Sequence, residues 1–433
     1  MRGRTLLAWT EGWASPRLHA RSHFAARSMP DFRLYGVLYQ EDKMTSEERH
    51  EERYRRRKAK REAKRLEKES GYLCFDDVIT FMRLYRSALA CYRNVGWKAS
   101  VQSYRARAGI NVYRRLQELR RGKFRLRSCQ EFYIRERGHE RKISSIHIED
   151  RIPQKCLCRY SLKQVIHRSL IYDNYASQER KGTELARKRL KCHLERHIRR
   201  HGMTGGMIIF DFKGFFDSVR HDLVRSVLER YYEDEWLIGM NMRIVEQARS
   251  DIGLVLGSEN SQDFAIATPN SLDHYIKEVL RLEAYGRYMD DGWIIHPDFA
   301  YLKESYNRIR EYAAGLGFTL NERKTQVIRF GRQFTMMKRK YSFTPTGKII
   351  IRPVRQSVIR ERRKLKKLYR RSLKGTMRTE AGLASLESWR SSLRGCRCHK
   401  IVKSMEELYN SLYIEPWLSG QEGLCTTKSY PEV

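Results

Sequence analysis

Two short acidic segments constrain this chain more than anything else in it. Met207-Ile208-Ile209-Phe210 is an apolar run between Gly206 and Asp211. It reads as a buried strand with a carboxylate at its end. Farther on, Tyr285–His296 alternates like a hairpin, with Asp290-Asp291-Gly292 at the turn. An Asp-Asp pair alone is equally a solvated turn. A strand tip and a hairpin turn, however, can lie side by side in one sheet. That arrangement would put three carboxylates within reach of a shared pair of Mg²⁺ ions, which prefer hard oxygen ligands. Two such ions stabilise both the attacking and the leaving oxygen of a phosphoryl transfer.

Charge points the same way. Lys and Arg total 87 against 51 Asp and Glu, a formal charge of +36 that runs through the whole chain. A polyanionic partner is the simplest reading, because neutralised phosphates release counterions. A ribosome-type or membrane-surface protein would share this composition. No run of about 18 apolar residues is present, so the sequence predicts no membrane span and a cytoplasmic protein. The 9 cysteines lack framework spacing and suit a reducing compartment. Cys156-x-Cys158 and Cys396-x-Cys398-His399 are spaced more tightly than the usual zinc pair.

Organisation follows from pattern. Residues 1–43, Arg-rich and acid-poor at the start, read as a disordered extension from an over-extended start codon, since Met44 opens a different composition. Residues 44–71 read as a basic charged arm, acids first and bases after. Phe75–Gly96 predicts one helix with Phe75, Val78, Ile79, Met82, Tyr85 and Leu89 on its buried stripe. Ser100–Gly122 predicts a second. Gln130–Ile134 and Lys142–Ile146 predict two strands around a charged turn, Arg135–Arg141. Helices are expected after Glu149 and at Thr183–Arg200, His221–Tyr232, Ser261–Leu282 and Leu302–Leu316. Phe318–Leu320 and Thr325–Phe330 look strand-like. Helices at Arg355–Leu373, Glu380–Leu393 and Ser404–Leu412 close the chain, followed by a flexible tail at 414–433.

The motifs resemble those of reverse transcriptases. Tyr288-Met289-Asp290-Asp291 is similar to that family's central motif. Asp211–Val219 resembles its first catalytic motif in the bacterial, group II intron-like branch. Gly253–Gln262 resembles the motif between them, Leu316–Thr325 the one that follows, and Phe334–Lys338 the primer grip. Arg135–Gln154 resembles the fingers motif, and the motifs occur in the family's order. Ser261-Gln262, where many relatives carry Ser-Pro, resembles retron, diversity-generating retroelement and phage-defence enzymes.

The resemblance implies an α+β right-hand polymerase. Fingers are expected over 72–203, an antiparallel-sheet palm backed by helices over 204–340, and a helical thumb over 341–413. It implies Asp211, Asp290 and Asp291 as ligands of two Mg²⁺ ions, or Mn²⁺ as a substitute, with the Phe212 backbone carbonyl joining them. Asp290 is the firmer direct ligand of the pair. Phe216 resembles a steric gate against a ribose 2′-hydroxyl, with Phe215 beside it; a core-packing Phe is the alternative. Arg135, Arg141 and Lys142 resemble the triphosphate clamp, and Lys324 the residue that protonates pyrophosphate. Gly257 and Gln262 are expected at the nucleotide, and Met336, Met337 and Lys338 at the primer. On the thumb, Arg360, Arg362, Arg363, Lys364, Lys366 and Lys367 would grip a duplex, over the apolar Ile359, Leu365 and Leu368.

The implied partners are an RNA template, a DNA or RNA primer and dNTPs, with a dedicated noncoding or template RNA and a small accessory protein. The implied setting is a bacterial or phage retroelement or defence system. Rival readings keep the palm but change its use: an RNA-synthesising or template-independent polymerase, or an RNA-binding splicing helper.

Overall fold

The computed structural model describes residues 73–418 except 137, 138 and 249, together with scattered positions between 45 and 59. The chain divides into two units, Met1–Glu62 and Ala63–Val433. In the first, the described positions from Glu48 to Ala59 are helical. Thr45 and Glu48 cap each other: the Thr45 N–H donates to Glu48 Oε2 at 2.7 Å and the Glu48 N–H to Thr45 Oγ1 at 3.2 Å. The extension expected over 1–43 and much of the arm over 44–71 lie outside the described residues.

The second unit begins with helices whose breaks the periodicity did not reveal. The helix expected over Phe75–Gly96 is a single turn, Phe75–Val78, then α1 (Phe81–Cys91). Thr80 takes an extended conformation and its hydroxyl accepts the Arg83 N–H at 3.3 Å, starting a new helix. The restart shifts the phase. Leu84, Ala88 and Cys91 are buried, whereas Met82 and Leu89, expected inside, are about half exposed. The next helix is also two, α2 (Ala99–Ala106) and α3 (Ala108–Arg120), parted at Arg107.

Strands β1 (Gln130–Glu136) and β2 (His139–Ser145) pair antiparallel from Gln130↔Ser145 to Glu136↔His139. The ladder therefore runs farther into the charged turn than the side-chain pattern indicates, taking in Arg135 and Arg141. Helix α4 (Ile148–Leu157) passes through a π-helical turn at Cys158–Leu162 into α5 (Lys163–Ser169). Cys156 and Cys158 are buried, and the Cys156 thiol donates to the Val78 carbonyl at 3.4 Å. Helix α6 (Thr183–His201) follows.

The central sheet contains β3 (Gly206–Asp211), β4 (Ala284–Tyr288), β5 (Asp291–His296) and β6 (Gln326–Arg329), in the order β4-β5-β3-β6 and antiparallel throughout. Between and after these strands come α7 (His221–Glu229), α8 (Glu235–Val245), α9 (Glu259–Ala267), α10 (Asn270–His274) and α11 (Phe299–Gly315). Pro269 separates α9 from α10, a break at the proline that the sequence itself offers within Ser261–Leu282. Phe318–Leu320 forms no strand and contributes one bridge, Phe212↔Leu320.

Every β3 residue is buried, and alternation sorts its side chains between two cores. Ile208 and Phe210 join Tyr285, Ile294 and the helices α9 and α11. Met207 and Ile209 join Trp293, Ile295 and α6 residues Ala186, Leu190 and Leu194 on the other face. Glycine is required where rings cross the sheet. A Cβ at Gly292 would strike the Phe210 ring, and one at Gly286 the Trp293 ring.

A second sheet, β7 (Phe334–Met336), β8 (Arg339–Phe343) and β9 (Ile349–Pro353), leads to α12 (Arg355–Leu373), α13 (Glu380–Ser392) and α14 (His399–Tyr413). The palm–thumb boundary expected at 340/341 falls inside β8. The three helices close on Leu365, Leu386, Trp389, Leu393 and Met405. The basic residues named on α12 are exposed, and so is Ile359, which the apolar stripe had placed inside. Glu415–Leu418 adds a helical turn to the expected tail, and residues 419–433 lie outside the described part. No helix among the described residues is long and apolar enough to cross a membrane.

Candidate active site

The antiparallel register sets Asp211 directly opposite Asp291. Tyr288 pairs with Asp291 on the other side, so Met289 and Asp290 form a two-residue turn. The turn sits one residue earlier than the sequence indicates, and Asp291 belongs to the strand. Met289 has φ +57, a conformation that costs a side-chain-bearing residue free energy and needs external support.

Arg287 supplies that support, and sequence reasoning missed it. Its guanidinium is wholly buried. Nη1 donates to the Met289 carbonyl at 2.8 Å, and Nε and Nη2 donate to the Asp273 carboxylate at 2.8 and 2.7 Å. Nη2 also reaches the Ile266 carbonyl at 3.0 Å. A buried ion pair of this kind is satisfied only because each donor has an acceptor. The signal available was the Arg between Gly286 and Tyr288 in an otherwise apolar strand.

Like charges then accumulate. Asp211 is buried, and Asp290 and Asp291 are largely so. Burial and the Asp211 charge raise the Asp290 carboxyl above its ordinary range. Burial, with Asp290 and Asp211 adding to it, pushes Asp291 up to about 7. Lys324 is the facing cation: its Nζ lies 2.7 Å from Asp211 Oδ2, and that hydrogen bond raises its own pKa. Asn321, also missed, donates its backbone N–H to the Asp211 carbonyl at 2.7 Å and Nδ2 to Oδ2 at 3.4 Å. Its signal lay in the same Asn-Glu-Arg-Lys turn as Lys324.

Asp211 and Asp290 open on a cleft of about 1270 Å³, which Phe212, Phe215, Phe216, Asn321, Lys324 and the hairpin residues Glu131, Tyr133 and Lys142 also line. Phe215 stacks on Phe212 at 5.3 Å, and the half-buried Phe216 meets Phe215 edge-on at 5.9 Å. Lys142 pairs with Glu131 at 2.9 Å. Other expected residues stand elsewhere. Arg135 is exposed on β1 outside the cleft lining, and Arg141 is placed by its backbone pairing with Ile134 alone. Gly257, φ +125, is approached by the Ser144 carbonyl: a Cβ there would collide with it, so its neighbour is the β1–β2 hairpin rather than open cleft. The Gln262 side-chain oxygen accepts from the Ser177 hydroxyl at 3.3 Å, away from the cleft. Met336 ends β7 opposite Arg339, and Met337 and Lys338 form the β7–β8 turn, where the Arg187 guanidinium donates to the Met337 carbonyl at 3.2 and 2.9 Å.

Among the described residues no three or more His, Cys, Asp or Glu side chains gather as a ready-made metal cage. The donor chemistry still fits hard divalent cations. The register brings three carboxylates together, and hard divalent cations take oxygen ligands of this kind.

The family model for reverse transcriptase (RNA-dependent DNA polymerase) matches residues 134–358, more than half of the chain. The chain belongs to the reverse transcriptase family. Reverse transcriptases are nucleotidyltransferases that bind RNA templates and use divalent metal ions, and mixed helices with antiparallel sheets are here their right-hand polymerase fold. Among solved structures, the chain is similar to telomerase from Candida albicans in complex with a fragment of telomeric RNA, at 12% identity and TM-score 0.42, covering 71% of this chain and 65% of that one. It is also similar to apo telomerase from Candida tropicalis truncated of its C-terminal domain, at 15% identity and TM-score 0.40, covering 55% and 59%. No curated protein matches the sequence.

Proposed function

We propose that this chain copies RNA into DNA, adding dNTPs to a primer 3′-hydroxyl, and that Asp211, Asp290 and Asp291, with the Phe212 carbonyl, hold two Mg²⁺ ions or Mn²⁺ in their place. The observation that carries the reading is the pairing of Asp211 with Asp291 across the sheet, with Asp290 in the adjoining turn. Bound ions would supply charge stabilisation at the attacking and leaving oxygens. The chain's own groups do the rest. Lys324, protonated beside Asp211, is a general acid for the leaving pyrophosphate. The Phe216 ring, braced by Phe215, excludes a ribose 2′-hydroxyl. Of the basic residues expected as a triphosphate clamp, Arg135, Arg141 and Lys142, the one that lines the cleft is Lys142, and it is the clamp's cation in this reading. Gly257 acts through the hairpin root whose close approach it permits, and Met336, Met337 and Lys338 hold the primer strand.

Fingers over 72–203, palm over 204–340 and thumb over 341–413 are part of this reading, as is a setting in a bacterial or phage retroelement or defence system. The Ser261-Gln262 pair supports that setting through its resemblance to retron, diversity-generating and defence enzymes. The test is primer extension on a primed RNA template with dNTPs or NTPs. Extension with dNTPs is expected, and the joint Asp290→Ala and Asp291→Ala variant should lose it while still binding RNA. Activity surviving in that variant, or a preference for NTPs, overturns the reading. Sequencing RNA that copurifies with the chain identifies its template.

A further inference from the structure

At the end of the central sheet away from the carboxylates lies a second cavity, of about 300 Å³. The pairing Gly206↔His296 marks that end, whereas Asp211↔Asp291 marks the other. The two are separated by the length of β3, about 17 Å. Arg196 and Arg200 of α6 line one side, with His197 and His201, while Arg281 and His296 line the other. Arg196 and Arg200 are one helical turn apart, so both reach the same opening.

The buried and half-buried acids nearby already have their cations. Glu259 is shared by Lys155 and Lys163, Asp173 is met by Arg189 and Lys277, and Asp273 by Arg287. Arg196, Arg200 and Arg281 are exposed, and among the described residues none has a side-chain hydrogen bond or carboxylate partner. Glu283 is the acid that shares the lining. The floor beneath them is fixed. His197 is buried, its Nε2 lies 2.9 Å from the Thr204 carbonyl, and its ring stacks on Phe330 at 4.4 Å. Three exposed guanidiniums from two segments line one opening, and their shared positive potential favours an anion there. Guanidinium forks match phosphate oxygens two at a time.

We propose that this cavity is a second RNA site, gripping the phosphodiester backbone of bound RNA outside the polymerase cleft. The choice of RNA rests on the proposed copying of RNA, since the bound template RNA must continue beyond the cleft. The contact is to the backbone, so it anchors RNA without reading its sequence.

The experiment compares the full chain with a variant carrying Arg196→Glu, Arg200→Glu and Arg281→Glu. Fluorescence anisotropy with a labelled transfer RNA is measured over a salt series, alongside extension of a short primed RNA template. The variant should bind the transfer RNA at least about tenfold more weakly, and its log–log salt slope should flatten by about two. Extension of the short template should be unchanged. Equal affinity and slope in both forms would sink the proposal. So would a parallel loss of extension, which would assign the arginines to the cleft. Inorganic phosphate that binds the unaltered chain and not the variant, while both hold transfer RNA equally well, would mark a free-anion site and overturn the proposal. A chain that never extends a primer defeats the polymerase reading, whereas the binding comparison still decides this one.

Discussion

The two ends of the central sheet handle charge in opposite ways. At one end the buried Asp211 is held in register with the partly buried Asp291, and the turn that carries Asp290 is tethered by a buried guanidinium. At the other, arginines are exposed and unpaired around an open cavity. The acidic end is over-determined by the fold. The basic end uses the fold only as a platform. Substitutions at the first should therefore disturb chemistry or folding, and substitutions at the second should disturb neither.

The sharpest way to break this contrast is to neutralise one acid. Asp290→Asn should reduce primer extension by about 10⁴-fold or more, near 5.5 kcal/mol of transition-state stabilisation, with transfer RNA affinity retained. A modest loss would mean that the turn carboxylate is dispensable. Next comes the tether. Arg287→Met leaves Asp273 buried without its cation and should cost about 3–5 kcal/mol in thermal or denaturant unfolding. Adding Asp273→Leu should restore part of that stability, yet kcat should stay low because the Met289 carbonyl remains untethered. Recovery of both together would show that Arg287 serves folding alone.

Between the two ends sits His193, which packs against Trp293 and accepts its indole N–H at 3.4 Å. Burial holds its pKa down at about 4, against the opposing pull of Asp173. A neutral histidine buried in this way contributes stability that is complete above its ordinary pKa near 6.5. That contribution is lost as the pH falls towards 4, about 3 kcal/mol in all. Unfolding measured from pH 7 to pH 4 should show this decline, and His193→Gln should flatten it. The smallest effect belongs to the basic end: Arg281→Glu should shift folding stability by no more than about 0.5 kcal/mol. A large loss there would erase the distinction between the ends.

The site was legible in the sequence where chemistry and pattern coincide. An apolar run closing on Asp211 and an alternating segment around Asp290 are local signals, and pairing the two strands follows from their burial. The α+β class came with the resemblance of the motifs, and the helical close of the chain from its periodicities. What stayed hidden depends on distant partners. The break at Thr80 turns on a cap that periodicity averages over. Gly257 looked like room for a nucleotide, but the space is taken by Ser144, more than a hundred positions earlier in the chain. Gln262 had the right residue type, and only the fold reveals that Ser177 occupies it. Arg287 read as part of a lead-in motif because its four acceptors come from three separate segments.

The meeting of Ser144 with residues 256 and 257 has a mechanical consequence. The Ser144 N–H donates to the Leu256 carbonyl at 3.0 Å, and its own carbonyl presses on Gly257, so the root of the β1–β2 hairpin is fastened on both sides of one peptide. An arm clamped there behaves as a lever. Over a length of roughly 20 Å, a pivot of about ten degrees at the root sweeps the tip by some 3–4 Å. The arm can thus change its reach over the cleft while the strands beneath keep their registration.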